Sequence, residues 1–260
     1  MLRTWIRNPD LLVLAQAAVA AAAALAVVLL ARRRRIHLEG DASIALVRGL
    51  VQISLVGSVL AVVMRGPRWT SVLLLGGMML AAAVTSTQRA KRIPGAFRAS
   101  LAGIVVGSGT VILVMALTGV ISTDLGTLVP VGSMLIANAM NSNGLALNRF
   151  RGEVQAHVGE IDTALALGAA PEQTVSRYVQ SSYEASLIPA IDNLRSLGLV
   201  WIPGLMAGMV LSGSPPVSAA VYQFVVLAMI LSSSALSCLV STTLIRKSAF
   251  SPAEQLVLRQ

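Results

Sequence analysis

Seven runs of apolar residues, each close to the length that crosses a bilayer, dominate this sequence: 11–31, 44–64, 70–86, 100–117, 128–147, 187–211 and 219–245. About 20 helical residues cover the hydrocarbon layer. That layer offers no water to satisfy backbone N–H and C=O groups, so only helices and closed barrels can span it. Barrel strands alternate apolar and polar residues, and these runs do not. The expected fold is all-α: a polytopic transmembrane helical bundle of about seven spans.

Of the 260 residues, 55% are hydrophobic and 12% are charged, as a chain held mostly in lipid requires. The first run is too long for a signal-peptide core and is stopped by Arg32, Arg33, Arg34 and Arg35, so it is expected to remain in the protein. No Pro/Ser/Gly linker divides the chain and no internal repeat stands out, so residues 1–260 are expected to form a single membrane domain. The lone cysteine, Cys238, leaves no internal disulfide and no multi-cysteine metal site; it reads as a small buried apolar residue.

Basic residues fix the expected orientation. With the N-terminus outside, the cytoplasmic segments hold Arg32 to Arg35, Arg89, Lys91, Arg92, Arg98, Arg149, Arg151, Arg177, Arg246, Lys247 and Arg259. The outside segments then hold only Arg3, Arg7, Arg65 and Arg68. Positive residues collect on the untranslocated side, so the N-terminus is expected outside and the C-terminus in the cytoplasm. The net charge of +9 thereby reflects topology and contact with anionic membrane lipid. It does not point to nucleic acid, because the charges sit in scattered short loops without interleaved aromatics.

Between the fifth and sixth runs lies a polar cytoplasmic insert, residues 148–186. Within it Ile161, Leu165 and Leu167 accompany Glu160 and Asp162; Gly168 ends the helix and Pro171 starts another. The result is a compact helical elbow, a shape that can pass force between a membrane domain and a soluble partner. No glycine is followed by Lys-Ser or Lys-Thr as a phosphate-binding loop requires, and the one Lys-Ser, Lys247-Ser248, trails an apolar run. The chain is therefore not expected to be an enzyme. ATP hydrolysis, if coupled to it, belongs to another polypeptide.

From the fifth run onward the residues resemble the FetB-like iron-export permeases of ABC transporters. The matching stretches are VPVGSMLIANAM (Val129 to Met140), LALGAAPEQ (Leu165 to Gln173), SLIPAID (Ser186 to Asp192) and GLVWIPGLMAGMVLSGSPPVSAAVYQ (Gly198 to Gln223). Arg48 followed by Gln52 adds a weaker match in the N-terminal half. The resemblance implies a permease in the bacterial inner membrane that exports a metal ion such as iron. It further implies a cognate ABC ATPase subunit that carries ATP and magnesium, no cofactor in this chain, and a homodimer. The elbow also resembles the coupling loop of ABC permeases, where an acid a few residues ahead of a glycine docks on the ATPase. Asp162 fits that spacing, Glu160 falls two residues earlier, and Leu165, Gly168, Ala169 and Pro171 complete the coupling set.

A transport path is expected along the fifth and sixth runs. Asn138 and Asn141, three apart, share a helix face near Met140. Amides in hydrocarbon need partners, so they either tie helices together or line a polar path with thioethers as soft metal ligands. Asp192 and Arg195 can pair on one helix face near the cytoplasmic boundary, as a local salt bridge or as part of a gate. Pro203 and Gly204 predict a hinge, with Met206 and Met209 beyond it. Arg48, one turn before Gln52, is placed to snorkel, and Tyr222 with Gln223 reads as an interfacial belt residue and its neighbour. The ridge Gly103, Gly107, Gly109 serves either self-association or packing within the chain. Alternatives to the permease are a proton-coupled secondary transporter, for which Asp192 is the titratable candidate, and a non-transporting membrane scaffold.

Overall fold

The computed structural model describes residues 9–32, 39–63, 66–67, 69–89, 93–251 and 253–258. Many of the residues on which the expected orientation rests, Arg3, Arg7, Arg33 to Arg35, Arg65, Arg68, Lys91, Arg92 and Arg259, lie outside that set, as does His37. The described residues are helical, with isolated β-bridges and no strand. They fall into two compact units, Met1–Gly66 and Pro67–Gln260.

The first unit is a pair of helices, α1 (Pro9–Arg32) and α2 (Glu39–Val63). Small residues Ala17, Ala20 and Ala21 on α1 and Gly49 on α2 line the groove between them. Val47, Leu50, Val51, Ile53 and Leu55 of α2 are all exposed, so its apolar residues point outward in several directions, the pattern of a lipid-facing helix. Arg48 and Gln52 are one turn apart on α2, also exposed.

The second unit contains α3 (Thr70–Arg89), α4 (Ala96–Leu117), α5 (Leu125–Ala156), α6 (Val158–Ala166), α7 (Pro171–Thr174), α8 (Ser176–Ser196), α9 (Gly204–Leu211) and α10 (Pro216–Ser248). Helix α10 packs on α4, α5, α8 and α9, while α3 packs on α4 and α5. Among the described residues four helices are long and apolar enough to cross a membrane: Ala42–Ala61 within α2, then α3, α4 and α10. The apolar part of α1, Leu14–Leu30, is shorter. Run 128–147 lies inside α5, a helix of 32 residues in which Asn138, Asn141, Asn143, Arg149 and Arg151 dilute the apolar content.

The expected sixth span, 187–211, is not one helix. Helix α8 starts eleven residues earlier, at Ser176, passes through Pro189 and ends at Ser196. The chain then turns, with Gly198 at φ +76 and a bridge from Leu197 to Trp201, and resumes helix only at Gly204. Local chemistry explains the break: Gly198 accepts a left-handed conformation, Pro203 has no N–H to donate, and the residue ahead of a proline avoids helical geometry. The hinge foreseen at Pro203 and Gly204 is therefore the end of a seven-residue interruption.

α4 and α10 approach each other through glycine and serine. A Cβ on Gly107 would lie 2.6 Å from the Ser237 backbone N, and one on Gly103 would lie 2.6 Å from the Ser237 carbonyl oxygen. Both glycines thus pack within the chain, whereas Gly109 has only the Met79 methyl nearby, at 3.9 Å. At the contact α4 widens into a π-helical stretch, Val105–Gly109, and the Ser108 and Ser233 hydroxyls share a hydrogen bond of 2.9 Å. Such a bulge inserts an extra residue into a helical turn.

Candidate functional site

The elbow is built by helix-end chemistry. Gly168, at φ +86, lets its own N–H reach the Leu165 carbonyl and the Ala169 N–H reach the Ala164 carbonyl, both at 3.0 Å. These two bonds satisfy carbonyls that the end of α6 would leave bare. Pro171 then opens α7 at a position where a missing N–H costs nothing.

One side of the elbow is anchored. Ile161, Val175 and Tyr178 are buried in a cluster with Ala96 and Ala99 of α4, Leu147, Phe150 and Val154 of α5, and Ile245 of α10; Leu165 packs against it. Leu256 and Leu258 from the C-terminal turn close the same cluster. Glu172 pairs with Arg246 of α10 at 2.5 Å. Leu167, beside the capping glycine, points the other way and is 84% exposed. Asp162 is half-buried, and Glu160 lies on the exposed side.

Glu160 is held by the opposite limb. Its carboxylate accepts from the Arg177 guanidinium and, at 3.3 Å, from the Tyr178 hydroxyl. Arg177 also lies over the Tyr178 ring, 4.7 Å from its centroid, and His157 stacks on that ring at 4.9 Å. The hydrogen bond from Arg177, with its positive charge, holds the Glu160 carboxyl below the ordinary carboxylate value, against a smaller opposing effect of burial.

A second feature is a cavity of about 230 Å³ between α3, α5 and α8, with Leu145, Pro189 and Ala190 on its apolar side. Asn138 and Asn141 share its wall, as their spacing predicts, with Arg89, Ser142, Ser186 and Asn193. Asn138 donates to the Met134 carbonyl at 2.9 Å. Met140 turns away toward the α3–α4 side, against the cluster of Leu75, Ala82, Ala83, Ile104 and Ile136.

The third feature is the broken helix. Ser186 lies beside Cys238, while Leu194 and Leu197 pack against the cluster that holds Val226, Leu227, Met229 and Ile230. Asp192 and Arg195 therefore stand on the stretch of α8 that runs beside α10. They pair at 3.4 Å with their side chains 58% and 77% exposed. α9 carries Met206 and Met209 away from the cavity and is tied to α10 by Gln223, which is buried and accepts from the Met206 N–H at 3.2 Å. Gln223 is thus an interhelical tie. Among the described residues no three His, Cys, Asp or Glu side chains converge as a metal-binding group.

The family model described as "Uncharacterised protein family (UPF0014)" matches residues 14–250. The chain belongs to this family. This UPF0014 protein is 32% identical to the "Probable iron export permease protein FetB" of Escherichia coli K12, over 87% of its own length and 88% of the relative's. It is 32% identical to the "UPF0014 membrane protein STAR2" of Oryza sativa subsp. japonica, over 85% of this chain and 78% of that one. Identity to the "UPF0014 membrane protein YjkA" of Bacillus subtilis strain 168 is 31%, over 84% and 88% respectively. No solved structure matches the chain.

Several prominent residues of the UPF0014 chain carry no sequence signal that singles them out. Leu167 and Leu165 are both apolar, and only the fold decides that one is packed and the other exposed. Arg89 reads as a topological charge, yet it lines the cavity with two asparagines. The Arg177 clamp on Glu160 joins residues from different helices and could have been suspected only from their opposite charge.

Proposed function

We propose that this UPF0014 protein is the permease subunit of an ABC transporter, working as a homodimer on a dimer of a separate ATPase in the bacterial inner membrane and exporting a metal ion such as iron. The partner binds ATP and magnesium. The elbow carries the reading: an exposed leucine stands at the tip of a capped turn whose other side is embedded among α4, α5, α8 and α10. Burying one leucine contributes about 1.5–3 kcal/mol, enough to anchor a docking contact that acidic Glu160 and Asp162 could orient. The name of the FetB relative, probable iron export permease, supports the cargo and the direction.

In this mechanism ATP closes the ATPase dimer, and the elbow moves with it. Because Ile161, Val175 and Tyr178 share one cluster with the ends of α5 and α10, displacement of the elbow shifts those helices. The interruption between α8 and α9 lets their two halves move separately, as broken helices do in transporters. Nucleotide can shift the equilibrium only if the elbow contact differs between the two states. Purified protein reconstituted with a candidate P-loop ATPase partner tests the reading: metal movement should require ATP and an intact Leu167.

A further inference from the structure

We infer that the cavity between α3, α5 and α8 is a binding site for an oxyanion, a carboxylate or phosphate group, with Arg89 as its charged anchor. The lining supplies donors without a competing acid. Arg89 offers five N–H donors; Asn141 and Asn193 each offer an amide NH2, and Ser142 a hydroxyl. None of these four side chains makes a hydrogen bond or ion pair among the described residues. Asn138 adds the amide hydrogen that Met134 does not use.

Among the described residues no Asp or Glu lines the cavity. Asp192, next in sequence to Asn193, is engaged with Arg195 outside it. The charge of the site is therefore that of a guanidinium, which repels a bare metal cation and attracts an anion.

Arg89 is exposed, and its stem runs beside Gly144 of α5. A Cβ on Gly144 would lie 3.0 Å from the Arg89 Cδ and 3.7 Å from its Nη1, so the bare backbone of α5 gives the arginine side chain room to lie along it. The planar fork of the guanidinium matches the two oxygens of a carboxylate or phosphate. About 230 Å³ accommodates one such group together with a few attached atoms.

The site belongs to this chain alone, so it is tested without an ATPase. Full-length protein in a neutral maltoside detergent is melted against sodium citrate and inorganic phosphate at constant ionic strength, with sodium chloride as control. Citrate or phosphate should raise the melting temperature saturably. The rise should vanish in Arg89→Gln, survive in part in Arg89→Lys, and require at least tenfold more anion in Asn193→Leu. Lipid phosphate is the other source of the same chemistry: native mass spectrometry should then show phosphatidylglycerol retained by the wild type and lost in Arg89→Gln, with soluble anions silent. The inference is overturned if neither oxyanion nor phosphatidylglycerol distinguishes the wild type from Arg89→Gln. Saturable binding of iron(II) alone, lost in Asn138→Leu/Asn141→Leu and kept in Arg89→Gln, would overturn it as well.

Discussion

Gly107 of α4 lies so close to Ser237 of α10 that a methyl group on the glycine would come within 2.6 Å of the Ser237 backbone nitrogen. The obstacle is backbone, so no rotamer change relieves it. Ser233 and Ser241, one turn away on either side, are buried in the same seam. Close approach of two helices through small residues gains dispersion contacts that larger side chains would block.

Gly107→Val is accordingly predicted to separate α4 from α10 and to cost at least about 1–3 kcal/mol, as overpacked cores do. Melting in detergent should show a clear fall. Gly109→Ala, which meets only a flexible methionine methyl at 3.9 Å, should melt close to the wild type. Equal melting of Gly107→Val and Gly109→Ala would refute the close seam.

The Glu160–Arg177 contact predicts a pH dependence with a definite sign. Arg177 lowers the Glu160 carboxyl below its reference value of 4.5 in the folded state. The contact's stabilisation is therefore fully present above pH 4.5 and is lost as pH falls through the lower folded value. The melting difference between wild type and Glu160→Gln should be constant from neutral pH down to about 5 and shrink in more acid solution. Because both side chains are exposed, the difference is small and should fall further in high salt. A gap that widens on acidification would contradict the assignment.

Residues whose conformation is set by near neighbours were legible in the sequence. Gly168 and Pro171 announce a helix end and a helix start wherever they occur, and the elbow stands where they place it. The same-face spacing of Asn138 and Asn141 likewise survives into the shared cavity wall. Hydropathy misled at α8, because its polar first half, Ser176 to Ser186, belongs to the insert by composition, yet it forms one helix with the start of the apolar run through Pro189 to Ser196. Partnership was hidden too. Leu194 and Leu197 meet the Val226 to Ile230 stretch, and Gln223 meets Met206, only because α8 and α9 pack along α10.

Replacing both Asn138 and Asn141 with leucine separates transport from packing. If the amides line a route, which beside Arg89 suits a metal carried as an anionic complex, transport per folded molecule should fall at least tenfold while the melting temperature holds, since neither side chain is fully buried and both face the cavity. If they hold helices together, melting temperature or protein yield drops, and transport falls only with the amount of folded protein. Normal specific transport in the double variant would remove the cavity from the path and leave Asp192, Met206 and Met209 as its candidates.

The central claim, that a separate ATPase drives this UPF0014 protein through the elbow, is tested most directly at Leu167. The chain and its P-loop ATPase are reconstituted into vesicles, and ATP-driven iron movement and hydrolysis are measured side by side for wild type and Leu167→Asp. The substitution lies on an exposed side chain, so folding stability should change by no more than about 0.5 kcal/mol. The account predicts ATP-dependent iron movement in the wild type and loss of both movement and permease-stimulated hydrolysis in Leu167→Asp. Iron movement that needs no ATP, or full coupling in the aspartate variant, would contradict it.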